Sequence, residues 1–340
     1  MHCFSHLTLN RKAPNAACPL AMLALGLLLT APPADAASFT AALKARNYQE
    51  AERAANAALA VNPRDPMALA AKIDAIVALA PDARIDEAVG LAEQCVAFHP
   101  RLSECHEGLG NALGSKAINA GIFSAMGYAG KIRDAFRRAI ELDPKNTDAR
   151  FSLLQYYLTA PGIVGGGVDH ARALSTETGK LSAEASQLML ALIAVNEGDL
   201  AQAERLIRTT TVAPGATLSE SRRDALWAIG GSYLSAKRFS DADRVFRDLQ
   251  TAYPNSELGA FGLARSLQEQ GKHAEAVPLF ENALAIYPRA FIYYRLGQSL
   301  QASGTRAKAL GAYEKALALA PGLPKKQRSD AENQVKSLKS

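Results

Sequence analysis

Apolar and polar residues are distributed along this chain with the period of an α-helix that has one buried face. Leu263 and Leu267 lie four positions apart, as do Leu296 and Leu300, with polar or small side chains between them. Four positions are about one helical turn, so such residues share one face of a helix. The pattern predicts an all-α fold built from amphipathic helices.

Prolines divide this helical pattern at nearly constant intervals. Pro254 and Pro288 are 34 residues apart, and Pro288 and Pro321 are 33 residues apart. Proline has no N–H to donate and disfavours helix in the residue before it, so each proline is expected to end a helix. The spacing predicts a repeated pair of helices.

The two segments that end at Pro288 and Pro321 match each other at seven positions. In the first they are Leu263, Ala264, Leu267, Ala276, Phe280, Ala283 and Pro288, and in the second Leu296, Gly297, Leu300, Ala309, Tyr313, Ala316 and Pro321. The small residues fit where helices approach closely, and the large ones fill the space between helices. These positions resemble the signature of the tetratricopeptide repeat family, whose unit is an antiparallel helix pair of 34 residues.

The same spacing continues towards the N-terminus with lower fidelity and gives about eight hairpins. The resemblance therefore implies a right-handed α-solenoid over residues 37–321. Residues 322–340 are polar, and Ser329, Asp330, Ala331 and Glu332 have the spacing of a capping box. We expect them to open a short helix that covers the last apolar face of the solenoid.

Residues 1–36 have the features of an export signal. Arg11 and Lys12 precede an apolar run from Ala21 to Leu29, and small residues follow at Ala34 and Ala36. We expect cleavage after Ala36 and a periplasmic or secreted protein with no transmembrane segment in the mature chain, since the run is too short to span a bilayer. The alternative is an uncleaved N-terminal anchor.

Two of the repeats are longer than the others. The interval from Pro100 to Pro144 exceeds the repeat by ten residues, placed around 119–130, and the next unit has about five extra residues at 160–167. Both are predicted to be turns on the same edge of the solenoid, where insertions often mark a binding face. The candidate edge residues are Ile122, Phe123, Met126, Pro161, Gly162, Ile163, Val164, Gly165, Gly166 and Gly167. The alternatives are a purely structural turn, which glycine permits, and a phosphate cradle, for which the lysine of the P-loop pattern is missing.

Cys95 and Cys105 are the two cysteines that remain after signal removal, and they lie five residues on either side of Pro100. A turn at Pro100 can bring them together, and an exported compartment favours a disulfide. Two buried thiols, or a zinc site with His99 and His106, are the alternatives.

Aromatic residues recur at the fifth position of the repeat, which in the family points into the concave groove. They are Phe151, Trp227, Phe261 and Tyr294, and the ninth and twelfth positions carry Arg265, Gln268, Gln298 and Gln301. This resemblance implies a groove that holds a protein or peptide segment with apolar anchors. The alternative is that the rings pack against the preceding hairpin.

Composition excludes several other function classes. The formal net charge is +5 in 340 residues, and the basic residues are scattered, whereas nucleic-acid binding needs a clustered basic face. No metal-ligand or catalytic spacing is present. The sequence therefore predicts a scaffold or adaptor without a cofactor, and a small-molecule or glycan binder that uses the long turns is the second hypothesis.

Overall fold

The computed structural model describes residues 36–79, 83–119, 122–213, 218–319 and 322–340. In these ranges the chain forms seventeen α-helices and one 3-10 turn, Gly162–Val164, and has no β-strand. The helices are α1 (Ala36–Lys44), α2 (Tyr48–Val61), α3 (Pro66–Leu79), α4 (Ile85–Phe98), α5 (Ser103–Asn119), α6 (Ile122–Leu142), α7 (Thr147–Thr159), α8 (Val168–Gly179), α9 (Ala183–Glu197), α10 (Leu200–Thr209), α11 (Ser219–Ser235), α12 (Phe239–Ala252), α13 (Leu258–Glu269), α14 (His273–Ile286), α15 (Ala290–Ala302), α16 (Arg306–Ala318) and α17 (Lys325–Lys339).

Consecutive helices pair into eight hairpins, numbered 1 to 8 from α1–α2 to α15–α16, and α17 follows the last of them. The first helix of a hairpin also packs on the first helix of the next, as α3 does on α5 and α9 on α11. This arrangement confirms the predicted all-α solenoid. The predicted signal segment, residues 1–36, lies outside the described residues except for Ala36.

Side-chain caps fix where several of the helices begin. Asn47, Asn146, Ser182 and Asp199 each accept a hydrogen bond from the backbone N–H three residues later. Such caps satisfy amides that have no partner inside the helix. They set the start of four helices, which belong to hairpins 1, 4 and 5.

Small residues allow large rings to fill the gap between helices. The Phe246 ring is completely buried against the backbones of Gly230 and Gly262. A Cβ atom at either glycine would lie inside van der Waals contact with this ring. The pairing of small and large residues seen in the sequence is therefore the packing rule between neighbouring hairpins.

The first long insertion is helical, so the prediction of a turn over 119–130 is wrong. Helix α5 extends to Asn119 and α6 begins at Ile122, and the extra residues lengthen both helices. Ala125, Tyr128 and Ala129 pack into the same core cluster as the rest of hairpin 3. This packing outweighs the low helix propensity of the glycines in the segment, about 1 kcal/mol each.

The second insertion is a turn, and its glycines are required by its geometry. Gly165 and Gly167 have φ values of +87° and +134°, which residues other than glycine rarely adopt. A Cβ atom at Gly166 would overlap the carbonyl oxygen of Ala160. The Tyr156 hydroxyl donates to the Val164 carbonyl oxygen at 2.5 Å, which ties the turn to α7.

Helix α17 covers the last hairpin as expected, but it begins four residues before the predicted capping box. It starts at Lys325, directly after Pro324, and Ser329 lies inside the helix. Proline is favoured at helix starts because its φ is already helical, and this preference sets the boundary. Ala331 is completely buried against the neighbouring hairpin. None of the helices in the described ranges is long and apolar enough to cross a membrane.

Candidate binding groove

The predicted aromatic stripe is mostly buried between hairpins, which corrects the prediction that it lines an open groove. Phe261 is 3% exposed and Tyr294 is 9% exposed. The Trp227 and Phe261 rings stack with centroids 5.7 Å apart, and Phe291 meets Phe261 edge-on at 5.0 Å. Phe151 is half-buried and packs on two core clusters. These rings join successive hairpins because each fills the gap beside its neighbour.

The predicted polar groove positions are also engaged within the chain. The Gln268 amide donates to the Arg295 carbonyl oxygen at 2.9 Å and to the Ser299 hydroxyl at 2.8 Å. Arg265 forms an ion pair with Glu269 at 3.2 Å. The C-terminal part of the predicted groove is therefore occupied by contacts between hairpins.

Helix α17 covers the last part of this surface. The Tyr294 hydroxyl donates to Asp330 Oδ2 at 2.7 Å and accepts from the Gln298 amide at 3.0 Å. The Gln301 amide donates to Gln334 Oε1 at 2.9 Å. Tyr294, Gln298 and Gln301 thus hold the capping helix in place.

Four carboxylates that the sequence analysis did not select come from four different hairpins and influence one another electrostatically. They are Asp74 on α3, Glu107 on α5, Asp148 on α7 and Glu220 on α11, and we call them the acidic wall. Asp148 acts electrostatically on both Asp74 and Glu107, and Glu220 acts on Asp148. Hairpins 2, 4 and 6 are not neighbours in the stack, so these charges act across more than one hairpin.

The surroundings of the acidic wall make two of its carboxyls hard to ionise. Loss of water contact raises the pKa of Asp74 to about 7, and the charge of Asp148 adds to this effect. Desolvation also raises the pKa of Glu107 to about 7, although the Asn146 amide donates to its carboxylate at 2.8 Å. Asp74 and Asp148 keep part of their surface in contact with solvent. Nearby protein groups therefore reduce the hydration of these carboxyls, although the side chains remain accessible.

The first hairpin meets the seventh and eighth, so the solenoid closes on itself. The Arg46 guanidinium lies 3.2 Å from both carboxylate oxygens of Glu257, and Arg289 approaches the same carboxylate at 2.6 Å. The Tyr287 hydroxyl donates to the Arg46 carbonyl oxygen at 2.8 Å. We call these four residues the N-terminal latch. Within the described residues, the eight hairpins therefore form a closed series of contacts.

The family model of the tetratricopeptide repeat matches residues 188–257 and 261–324. These two segments of the chain are tetratricopeptide repeats. Among solved structures, a tetratricopeptide repeat protein from Parabacteroides merdae is similar, with a TM-score of 0.42 and 14% identity over 89% of this chain and 96% of that one. The Cut9-Hcn1 hetero-tetramer of the APC/C is similar with a TM-score of 0.47 and 11% identity, over 88% of this chain and 54% of that chain. No curated protein matches the sequence.

Two members of the acidic wall could have been found from the repeat register of the sequence. Counted from Pro100, Glu107 occupies the fifth position, which is also the position of Trp227 in its own repeat. Asp74 occupies the ninth position counted from Pro63. The sequence analysis selected aromatic residues at the fifth position and therefore did not select these carboxylates.

The edge residues lie in two different settings. Ile163 is 83% exposed at the tip of the glycine turn, and Met126 is 41% exposed on helix α6. The side chains of Ile122 and Phe123 are outside the described part of the structure. Behind the turn, the Tyr157 and His170 rings lie 5.3 Å apart and line an open cleft of about 520 Å³.

Cys95 and Cys105 have the geometry of a disulfide between α4 and α5. Their Cα atoms are 5.3 Å apart, their sulfurs are at bonding distance, and both side chains are completely buried. Ring nitrogens of His99 and His106 contact the carbonyl oxygens of Arg64 and Pro100, at 2.6 and 3.0 Å. Within the described residues no three side chains of the metal-binding types come together.

Proposed function

We propose that this protein is an exported scaffold that holds a positively charged peptide segment of a partner protein in its concave groove. The repeats support a protein-interaction role, since stacked hairpins build an extended concave surface. The chemistry of the partner is inferred from the acidic wall, whose carboxylates come from four hairpins and influence one another electrostatically. A lysine or arginine side chain beside these carboxylates neutralises their negative charge and stabilises their ionised form.

This proposal replaces the apolar anchors expected from the sequence. The aromatic rings that would have formed pockets are used between hairpins. Asp74 and Asp148 are exposed and Glu107 is half-buried, so these carboxylates are accessible to a ligand. Lysine-rich or arginine-rich segments are therefore preferred over apolar or acidic segments.

The test is the binding of a fluorescent peptide of alternating lysine and alanine, measured by fluorescence anisotropy. The pH is above about 8, where Asp74 and Glu107 are charged. The double variant Asp74→Asn/Asp148→Asn should weaken binding by about tenfold, because two solvent-accessible charge pairs of about 0.7 kcal/mol each are lost. Glu93→Gln removes an exposed carboxylate from α4 and serves as the matched control. Equal binding of a glutamate–alanine peptide would contradict the charge argument.

Export is the second part of the proposal, and the predicted signal segment 1–36 supports it. Cleavage after Ala36 leaves α1 almost complete, since this helix spans Ala36–Lys44. The exported protein should have an intact mass that begins at Ala37 or within a few residues of it. A secreted protein that retains Met1 would contradict the cleavage.

A small-molecule or glycan ligand at the glycine turn is the alternative function. The cleft beside Tyr157 and His170 supports it, because its volume of about 520 Å³ is in the range of ligand sites. Thermal-shift screening of sugars with wild type and Tyr157→Ala tests this alternative. A ligand that stabilises only the wild type would favour the cleft over the groove.

A further inference from the structure

The contact between the first hairpin and hairpins 7 and 8 is built so that it can open without leaving a buried charge alone. Glu257 is 1% exposed and is shared by Arg46 and Arg289. An unpaired buried carboxylate is strongly destabilising. If Arg46 leaves, Arg289 remains beside Glu257 and still neutralises it. Arg289 is also held independently, above the ring of Tyr287 at 4.9 Å.

Hairpin 1, which would move when this contact opens, is the least extensively packed part of the described solenoid. Helix α1 has nine residues, and the small clusters that hold it centre on Phe39, Ala42 and Tyr48. Hairpins 2 to 8 share three much larger clusters. Regions with few buried apolar contacts open at low free-energy cost.

The turn between α1 and α2 presents Arg46 in a fixed direction. Arg46 has a φ of +55°, in the left-handed region. The backbone N–H of Asn47 donates to the Ala42 carbonyl oxygen at 2.8 Å and so closes the end of α1. The next residue, Tyr48, has a pKa raised by burial and feels the charges of Arg46, Arg289 and Glu220. The turn thus lies between the latch partners and the acidic wall.

We propose that the N-terminal latch is a gate for the groove: closed, it encircles a bound segment, and open, it admits a segment from the side. The entry of a peptide segment into the groove rests on the proposed function, whereas the opening of the latch is independent of it. A peptide with a free end can thread through the closed ring. A segment whose two ends are folded domains can enter only after Arg46 leaves Glu257.

The first experiment measures the latch without any ligand. Spin labels at Asn56→Cys and Thr251→Cys, two exposed positions in hairpins 1 and 6, report the distance across the closure, with Cys3 and Cys18 changed to serine in the full chain. Wild type should give one narrow distance distribution. Arg46→Gly/Tyr287→Phe should add a longer population, since these changes remove the Arg46 side chain and the Tyr287 hydroxyl while glycine keeps the positive φ of the turn. An unchanged distribution in this variant would overturn the latch.

The matched control is Arg53→Ala, because Arg53 is an exposed arginine of the same hairpin that pairs only with the nearby Glu50 at 2.7 Å among the described contacts. Its distance distribution should equal that of wild type. Circular dichroism of each variant shows whether the helices remain folded. A longer distance in Arg53→Ala as well would mean that any change in hairpin 1 loosens the closure, and this result also contradicts a specific latch.

The second experiment tests gating with two probes, the lysine–alanine peptide and the same peptide fused between two small folded domains. With an open state populated at about 1–10%, wild type should associate with the fused probe about tenfold or more slowly than with the free peptide. Arg46→Gly/Tyr287→Phe should remove this difference. Equal association rates of both probes with wild type would overturn gating. If neither probe binds, the proposed function fails, and the distance measurement alone decides whether the latch opens.

Discussion

Trp227 and Phe261 lie 34 positions apart and stack with their ring planes inclined by only 22°. The two rings occupy the same position in consecutive repeats, so the stack repeats the period of the chain in three dimensions. Trp227 also lies 5.5 Å from Phe246 in the same hairpin. Its ring therefore links two hairpins through side-chain packing, in a chain that has only one tryptophan.

Trp227→Ala should destabilise the protein because it removes both of these contacts. We expect a loss of about 3 kcal/mol in the free energy of unfolding, measured by urea denaturation followed by circular dichroism. Trp227→Phe keeps a stacked ring and should lose clearly less. A normal unfolding curve for Trp227→Ala together with weaker peptide binding would restore the groove role expected from the sequence.

Gly230 and Gly231 are adjacent in α11 and offer a matched pair. A Cβ atom at Gly230 would lie 2.5 Å from the Phe246 ring, whereas one at Gly231 would meet nothing within 4 Å. Gly230→Ala should therefore cost about 1–3 kcal/mol by overpacking, and Gly231→Ala should add about 0.5–1 kcal/mol through helix propensity. Thermal melts of the two variants should move in opposite directions. A shift of the same sign for both would contradict the packing seen around Phe246.

The pKa of Asp74 predicts how stability depends on pH. The folded protein holds a proton on Asp74 up to about pH 7, whereas the unfolded chain releases it near 3.8. The folded state thus binds more protons in this interval, and the free energy of unfolding contributed by Asp74 falls as the pH rises through it. Asp74→Asn should flatten this part of the curve and raise the melting temperature at a pH above about 8. Glu93→Gln should leave the curve unchanged, and an identical profile for Asp74→Asn would contradict the enclosure of Asp74.

The cysteine pair predicts a difference between oxidised and reduced protein. Cys95 and Cys105 are separated by 10 positions, and closing a loop of this size stabilises by about 2–3 kcal/mol in the chain-entropy model. Reduction should lower the urea midpoint of wild type and leave Cys95→Ala/Cys105→Ala unaffected. Peptide mapping of exported protein without reductant should recover the two cysteines in one cross-linked fragment. Recovery of two alkylated thiols would reject the disulfide.

The hairpins could be predicted from sequence because their rules are local. Phe246 needs a small residue in its own hairpin and another in the next, and both glycines are visible at the repeat spacing. The prediction of a turn at 119–130 was wrong because the ten extra residues were assigned to the connection between the two helices, whereas they lengthen the helices. Packing of Ala125 and Tyr128 in the core decides that segment, and such packing depends on neighbours that the local sequence does not name.

The groove and the latch could not be predicted in the same way. Asp74 and Asp148 look like ordinary solvated acids until the curvature of the stack brings their hairpins together. Arg46 and Glu257 are 211 positions apart, and their contact depends on the sum of small rotations between many hairpins. No single repeat contains that information.

The N-terminal latch also orders the events of folding. Hairpin 1 is synthesised first, but Glu257, Tyr287 and Arg289 belong to the part that is synthesised last. Neighbouring hairpins can fold as soon as they are available, because their contacts are local, whereas the ring can close only when nearly the whole chain is present. The earliest segment of the protein is thus the last to reach its final partners, and until then the inner carboxylates remain open to whatever binds them first.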